Sequence, residues 1–210
     1  EYDRLLDTLT INVTKFFRNR ETWSVLADRI LPSLQRQRGG RVQCWSAGCA
    51  SGEEPYTLAI LLLELGCHAP GASGGEAQVD ATDFDRVSLA RAEEGAYPPG
   101  AFEEMSAELV SRYLTGDEPR HLVPAVKALV RFQHHDLLQE PPPRPPYDLI
   151  ICRNVLIYFD RPTQGRLLEK FVDALHPGGY LVLGKVETLV GEARTRLVLE
   201  DARERIYRRP

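Results

Sequence analysis

The stretch RVQCWSAGCASGEEPYTLAILLLELG, Arg41 to Gly66, constrains this chain more than any other. An apolar run, a turn with Gly48 and Gly52, and a longer apolar run read as a buried strand, a tight loop and a helix. Two carboxylates, Glu53 and Glu54, stand where that helix begins. A helix start beside glycines normally gathers anions, because unpaired N–H groups and the positive end of the dipole point there. Acid at that spot asks for a different ligand.

The same alternation runs through the rest of the sequence. QVDATDFD supplies a second strand and RVSLARAEEGAY a helix that stops near Gly95; LVRFQHHDLL is a third strand, and PPPRPP a stiff connector. YDLIICRNVLIYF opens with a buried strand, TQGRLLEKFVDAL is a helix, GYLVLG a strand, and TRLVLEDARERIYRR suits a hairpin. Before the opening strand, residues 1–10 read as the end of a helix. NRETWSVLADRILPSL reads as another, with Asn19 as its N-cap. GCHAPGASGGEA is too rich in small residues to form an element. Strands alternating with helices predict an α/β fold, a mostly parallel sheet covered on both faces, with its ligand at the carboxyl ends of the strands. Residues 1–40 then form an N-terminal helical part and 41–210 the main domain. The mixed segment at about 97–128 is an insert with a helical piece, AFEEMSAELVSRYL, and an extended piece near HLVPAVKA.

Composition narrows the class. At 210 residues, with 43% hydrophobic and 27% charged content, the chain suits one soluble domain. A net charge of −4 gives no footprint for nucleic acid or an anionic membrane. The longest apolar run, around Leu58 to Leu65, includes Glu64 and is too short to span a bilayer. No signal peptide opens the sequence, and the four cysteines form no CxxC pair, which fits a reducing cytoplasm. His134 and His135 face opposite ways if both lie on a strand, so no metal is expected.

Elimination then addresses the acidic turn. A P-loop needs Lys-Ser/Thr after its last glycine, and here Gly52 is followed by Glu53-Glu54-Pro55. The dinucleotide fingerprint GxGxxG is absent as well, and two carboxylates would repel a pyrophosphate. They favour a nucleoside bearing positive charge and no phosphate, which describes S-adenosylmethionine. Asp83, at the end of the second strand with Asp85 beside it, suits a ribose diol, although it lies further from the glycine turn than the ~20 residues usual in dinucleotide folds. The alternative is that these acids are helix caps and solvated loop charges.

Three longer stretches carry a resemblance: TINVTKFFRNRETW, WSAGCASGEEPYTLAILL and DLIICRNVLIYFDRPTQGRLL. Together with ATDFD, LHPGGYLVLG and RIYRR, in the same order, they resemble the chemotaxis receptor protein-glutamate methyltransferases, the CheR family. The resemblance implies a Rossmann-like class I S-adenosylmethionine-dependent methyltransferase with a small antiparallel β-subdomain inserted. It implies methyl transfer to receptor glutamates, giving glutamyl methyl esters and S-adenosylhomocysteine. Its Asn-x-Thr-x-Phe-Phe-Arg motif falls on Asn12, Thr14, Phe16, Phe17 and Arg18, which would line the cofactor and substrate face. Glu54 is implied as a cofactor contact, Asp83 as the ribose acid, Asp136-Leu137 as the adenine pair, and Arg153-Asn154 with Tyr158 as the segment closing over the methyl donor. Arg18 would also aim the substrate carboxylate, and Tyr158 would guide it near the methyl group. Cys152 reads as a small buried residue.

A glutamate with a reference pKa near 4.3 is already ionised at neutral pH, so no general base is needed; the work is positioning and water exclusion. The expected partners are the cytoplasmic domains of receptors, with no nucleic acid and no membrane insertion, and the protein is expected to be a monomer. Two departures stand out. Gly184-Lys185-Val186-Glu187 occupies a place where the family often has Gly-His-Ser-Glu. Few residues precede Asn12, so the chain is expected to be a catalytic part without the family's N-terminal helical domain. Pro119 and Pro124 would blunt an edge of the insert and weaken capture of a receptor's C-terminal peptide. The rival readings are a methyltransferase for a small carboxylic acid and a non-enzymatic S-adenosylmethionine-binding signalling module.

Overall fold

The computed structural model of this chain describes residues 14–71 and 73–210. The expected helix over 1–10 and the motif residue Asn12 lie outside the described residues. A helical stretch comes first: α1 (Arg20–Val25), a π-wound turn Leu26–Ile30, and α2 (Leu31–Gln37). Asn19 does occupy the N-cap position of α1, but in the left-handed region at φ 63°, and its side chain caps nothing.

The main sheet follows the predicted alternation. β1 (Arg41–Ala47), α3 (Glu53–Glu64), β2 (Cys67–His68), β3 (Gly75–Asp83) and α4 (Arg86–Glu94) form its first half. β2 corrects the sequence reading: a two-residue strand within the small-residue loop pairs parallel with Gly75 and Glu76 of β3. A two-residue bridge needs only local backbone alignment, so composition did not reveal it. The insert comprises β4 (Ala96–Tyr97), a 3₁₀ turn Pro99–Phe102, α5 (Ala107–Tyr113), β5 (Leu114–Thr115), β6 (Arg120–Leu122) and α6 (Pro124–Lys127). The chain ends with β7 (Val130–His134), β8 (Tyr147–Cys152), a 3₁₀ turn Leu156–Tyr158, α7 (Arg161–Ala174), β9 (Leu175–Leu183), α8 (Ala193–Arg196), β10 (Val198–Asp201) and β11 (Ile206–Arg208).

The strand order is β10-β11-β9-β8-β1-β3-β2, and β7 pairs with β3 beyond β2. β1, β3, β7, β8 and β9 run parallel, and the hairpin β10-β11 adds antiparallel to β9. All six residues of β8 are buried, as expected for a central parallel strand covered on both faces. Along β1 the side chains alternate. Val42 and Cys44 join the core shared with Leu26, Leu34 and Leu58, whereas Trp45 and Ala47 join the core of Phe171, Leu168 and Tyr147. The carboxyl ends of β1, β3, β7 and β8 therefore converge on one edge, each followed by a loop.

The insert folds as a three-stranded antiparallel sheet of order β4-β6-β5. It is fastened to α3 by Arg112, which donates to both oxygens of Glu64 at 2.7 and 2.9 Å, and by the Tyr113 hydroxyl on the same carboxylate. The extended reading near HLVPAVKA holds only for Arg120–Leu122; Pro124 begins α6, its fixed φ suiting the first turn of a helix. Pro119 precedes the central strand and Pro124 lies beyond it, so neither removes a donor from an edge. The reason for expecting a blunted edge is thereby withdrawn. Among the described residues, no helix is long and apolar enough to cross a membrane.

Candidate active site

A cavity of about 670 Å³ opens at the carboxyl ends of the parallel strands. That is within the usual range for a small-molecule site. The loop after β1 forms its floor: the Gly48 and Cys49 amides both donate to the Thr82 carbonyl, at 2.8 and 2.9 Å. Gly48 sits at φ +81°, and a Cβ there would lie 2.4 Å from the Val155 side chain, so only glycine lets this loop pass beneath the loop after β8.

Acids occupy the deep walls. Glu54 lines the cavity, accepts the Ser46 hydroxyl hydrogen at 2.8 Å and lies 3.6 Å from Arg153. Burial raises its carboxyl above the ordinary value, opposed by the charge of Arg153 and by the Ser46 hydroxyl. Glu53 is buried beside it, bonded to the Ser51 hydroxyl, and does not reach the cavity. Asp83 accepts from the Ala50 amide at 2.8 Å and the Asp85 amide at 2.9 Å, one on each oxygen. Burial raises its carboxyl too, against the pull of those amides. Asp85 proves to be a helix cap as well as a wall residue, accepting from the Val87 and Ser88 amides at the start of α4.

Asp136 and Leu137 line the cavity just past β7. Asp136 shapes its own turn by accepting the Leu138 amide at 2.8 Å. Lys170, from α7, reaches across and donates to the carbonyls of Leu137 at 2.6 Å and Glu140 at 2.8 Å. Burial lowers its ammonium below the ordinary value, opposed by Asp136 and Glu140. His135 is buried in the same wall; its Nε2 pairs with the Pro141 carbonyl, while Nδ1 has no partner among the described residues.

The segment 14–19 closes one side. Thr14 and Arg18 line the cavity, and among the described residues Arg18 has no ion-pair partner, although its charge helps hold Glu54 down. Arg153 ties this wall to the body. It is 7% exposed, donates to the Arg18 carbonyl at 3.1 Å and to the Asn19 side-chain oxygen, and lies 5.7 Å over the Trp23 ring. Phe16 and Phe17 do not line the cavity, contrary to the sequence reading. Phe16 is wholly buried against Tyr97 and Phe102, and Phe17, at φ 56°, packs near Trp23. Two adjacent aromatics can both be buried here because the left-handed turn at Phe17 reverses the chain. Tyr158 is on the rim and 58% exposed, so it is not core packing.

Sequence reasoning missed Glu187 as a site residue. It is 4% exposed, and its carboxylate accepts four amides: Gly184 at 2.6 Å, Asn154 at 3.0 Å, Val155 at 2.9 Å and Leu156 at 2.8 Å. This fixes the loop after β8, with Asn154 at φ 60°, and so sets where Arg153 and Asn154 meet the cavity. Cys152 is buried with its thiol pushed well up by burial, which suits packing and not nucleophilic chemistry.

The residues fit a nucleoside with hydroxyls and positive charge: acids on the deep walls, an apolar margin from Leu137 and Val155, and a buried imidazole nitrogen lacking a partner. The family described as CheR methyltransferase, SAM binding domain, matches residues 12–206. A chemotaxis protein methyltransferase from Listeria innocua is 37% identical over 91% of this chain and 71% of its own length. A probable chemotaxis protein methyltransferase from Rhizobium etli is 37% identical over 90% of this chain and 72% of its own. Chemotaxis protein methyltransferase 2 of Pseudomonas aeruginosa is 39% identical over 90% and 68%. Among solved structures, a SAM-bound amino pentose methyltransferase from Micromonospora echinaspora superposes with a TM-score of 0.43 at 15% identity, covering 77% of this chain and 50% of that one. With the family matched across nearly the whole described chain and relatives well above 30% identity, this protein belongs to the CheR methyltransferase family, as its S-adenosylmethionine-binding domain.

Proposed function

We propose that this protein methylates glutamate side-chain carboxylates of chemotaxis receptors, releasing glutamyl methyl esters and S-adenosylhomocysteine. The observation that carries the reading is the division of one cavity. Asp83 and Asp136 line it from the strand ends and Glu54 from the start of α3, while Arg18 and Tyr158 border it from the N-terminal wall and the exposed rim. In this reading the helical stretch before Arg41 supplies one wall, residues 41–210 form the methyltransferase body, and the insert at about 97–128 braces that wall.

Bound S-adenosylmethionine supplies an electrophilic methyl group attached to a sulfonium. Asp83 would hold the ribose hydroxyls, Glu54 the positive end, and Asp136 with Leu137 the adenine; Thr14, Arg153, Asn154 and Asn12 complete the set. Arg153 opposes, at one end, the rise that burial imposes on the Glu54 carboxyl and ties down the Arg18 backbone at the other. The incoming glutamate is already charged, so no residue must remove a proton. Arg18 attracts and aims that carboxylate. A tighter, bidentate clamp would stabilise the ground state more than a transition state in which charge is disappearing. The Tyr158 hydroxyl, on the exposed rim, guides one carboxylate oxygen, and Trp23 and Phe159 exclude water from the reacting atoms.

The test is incubation with labelled methyl donor and purified receptor cytoplasmic domains, followed by mass mapping of base-labile esters. Label on receptor glutamates supports the proposal. Cofactor binding without transfer to any receptor, or transfer to small carboxylic acids alone, would overturn it.

A further inference from the structure

We propose that Ile157, Tyr158 and Val186, with Arg161 beside them, form a docking ridge for an amphipathic, acid-bearing helix of the substrate protein. The ridge delivers the target glutamate into the cavity. The proposal rests on the methyl-transfer reading above and specifies how that substrate is held.

Val186 is 75% exposed, Tyr158 58% and Ile157 48%. Ile157 borders a hollow with Val186 and the main cavity with Tyr158, which links the three exposed side chains, and contiguous exposed apolar surface marks a contact site. These three are also held firmly. Glu187 bonds Gly184 on one side of Val186 and bonds Asn154, Val155 and Leu156 just before Ile157, so one buried carboxylate fixes both supports of the ridge. The Lys185 ammonium donates to Glu204 at 2.6 Å and pins the other flank of the same turn. A rigid exposed valine gains no internal packing in return for its exposure.

The second observation is a hollow of about 120 Å³ between Ile157 and Val186, bordered also by Arg161, Gln164 and Thr188. Ile157 lines both this hollow and the main cavity, so the two are neighbours across the ridge. Side chains three or four apart on a helix lie about 5–6 Å from each other. A helix laid across Ile157 therefore places its target glutamate in the cavity and a neighbour one turn away in the hollow. That neighbour should be acidic. Arg161 is exposed and, among the described residues, makes no hydrogen bond or ion pair, whereas the adjacent Asp160 is committed to capping α7 through the Thr163 amide. Gln164 beside it is a neutral amide and cannot balance that charge; its nitrogen is spent on the Leu156 and Phe159 carbonyls. A helix with an apolar stripe and an acid beside it complements this surface in both shape and charge.

The experiment compares the unaltered chain with Val186→Asp and Arg161→Glu. A receptor cytoplasmic domain is the methyl acceptor, and S-adenosylhomocysteine affinity is read by calorimetry. The expected result is a rise in KM for the receptor of about tenfold in each variant, with kcat and S-adenosylhomocysteine affinity within about twofold. Exchanging the receptor acid one turn from the methylated glutamate for lysine should restore Arg161→Glu. Unchanged KM in both variants would overturn the ridge alone, and so would a parallel loss of cofactor affinity, which would make these residues supports of the cavity. No transfer by the unaltered chain would overturn the function and the ridge with it.

Discussion

The Glu187 carboxylate accepts the Val155 amide hydrogen at 2.9 Å, across 32 positions of sequence, and three further amides converge on the same group. Only acceptor atoms can meet four N–H groups. Glu187→Gln, though nearly isosteric, turns an NH₂ toward two of them. Hydrogen bonds to a charged group are worth about 1.5–3 kcal/mol each, so the substitution is expected to destabilise the fold by at least about 2 kcal/mol. Urea denaturation checks the stability, and exchange of the Asn154 to Leu156 amides checks the site of damage. A stability equal to the unaltered chain would refute the cradle.

Asp83 has one backbone amide on each oxygen and still faces the cavity. Asp83→Ala should weaken S-adenosylhomocysteine about tenfold or more, from a charged acceptor worth about 1.5–3 kcal/mol. Because it also frees the Ala50 and Asp85 amides, melting temperature must be read alongside. Asp83→Asn, which keeps one acceptor oxygen, should lose less stability than affinity. Equal affinity in both variants would sink the ribose assignment.

Tyr158→Phe removes one exposed hydroxyl that makes no hydrogen bond among the described residues. Stability and S-adenosylhomocysteine affinity should be unchanged while kcat falls about tenfold, the size expected for one hydrogen bond made in the transition state. Arg18→Ala should lower kcat and raise receptor KM together. Full turnover in Tyr158→Phe would make the tyrosine a docking residue only.

Burial raises the carboxyls of both Glu54 and Asp83. An acid whose folded pKa lies above its unfolded value binds more protons when folded. Its ionised form therefore lowers stability above that window, and the loss is relieved as pH falls through it. A ligand that donates to both ionised carboxylates reverses the shift. Binding then releases protons, and affinity drops as pH falls into the raised range. Calorimetry at a series of pH values below neutral, in two buffers of different ionisation heat, should show proton release on adding S-adenosylhomocysteine. No buffer dependence would contradict it.

Asp83 was legible because it stands at a strand end, where α/β topology places ligands, and Glu54 because an acid stands where the first helix of the sheet begins; Asp136 and Arg153 came from the family resemblance alone. Phe16 and Phe17 were misread: a motif on a wall suggests a lining, but the left-handed turn that buries both leaves no mark in composition. Asn19 was assigned by position, and the structure spends its side chain on Arg153 instead of on a helix amide. Glu187 entered only as the last residue of a stretch that departs from the family at Lys185 and Val186, and not as a fastening, since its partners are backbone groups, which look alike in every sequence. Lys170 escaped for the same reason: it serves carbonyls on a distant turn from the middle of an ordinary amphipathic helix.

The small sheet has a consequence for anyone who would trim this protein. The Phe16 amide donates to the Ala101 carbonyl at 3.0 Å, the Phe16 ring sits between Tyr97 and Phe102, and the Tyr97 hydroxyl reaches the Ser51 carbonyl at 2.6 Å on the glycine loop. The insert is thus masonry between the segment bearing Arg18 and the loop beneath the cavity. A chain shortened by that sheet would forfeit a side of its reaction chamber, so an excised version is a test of architecture before it is a test of receptor capture.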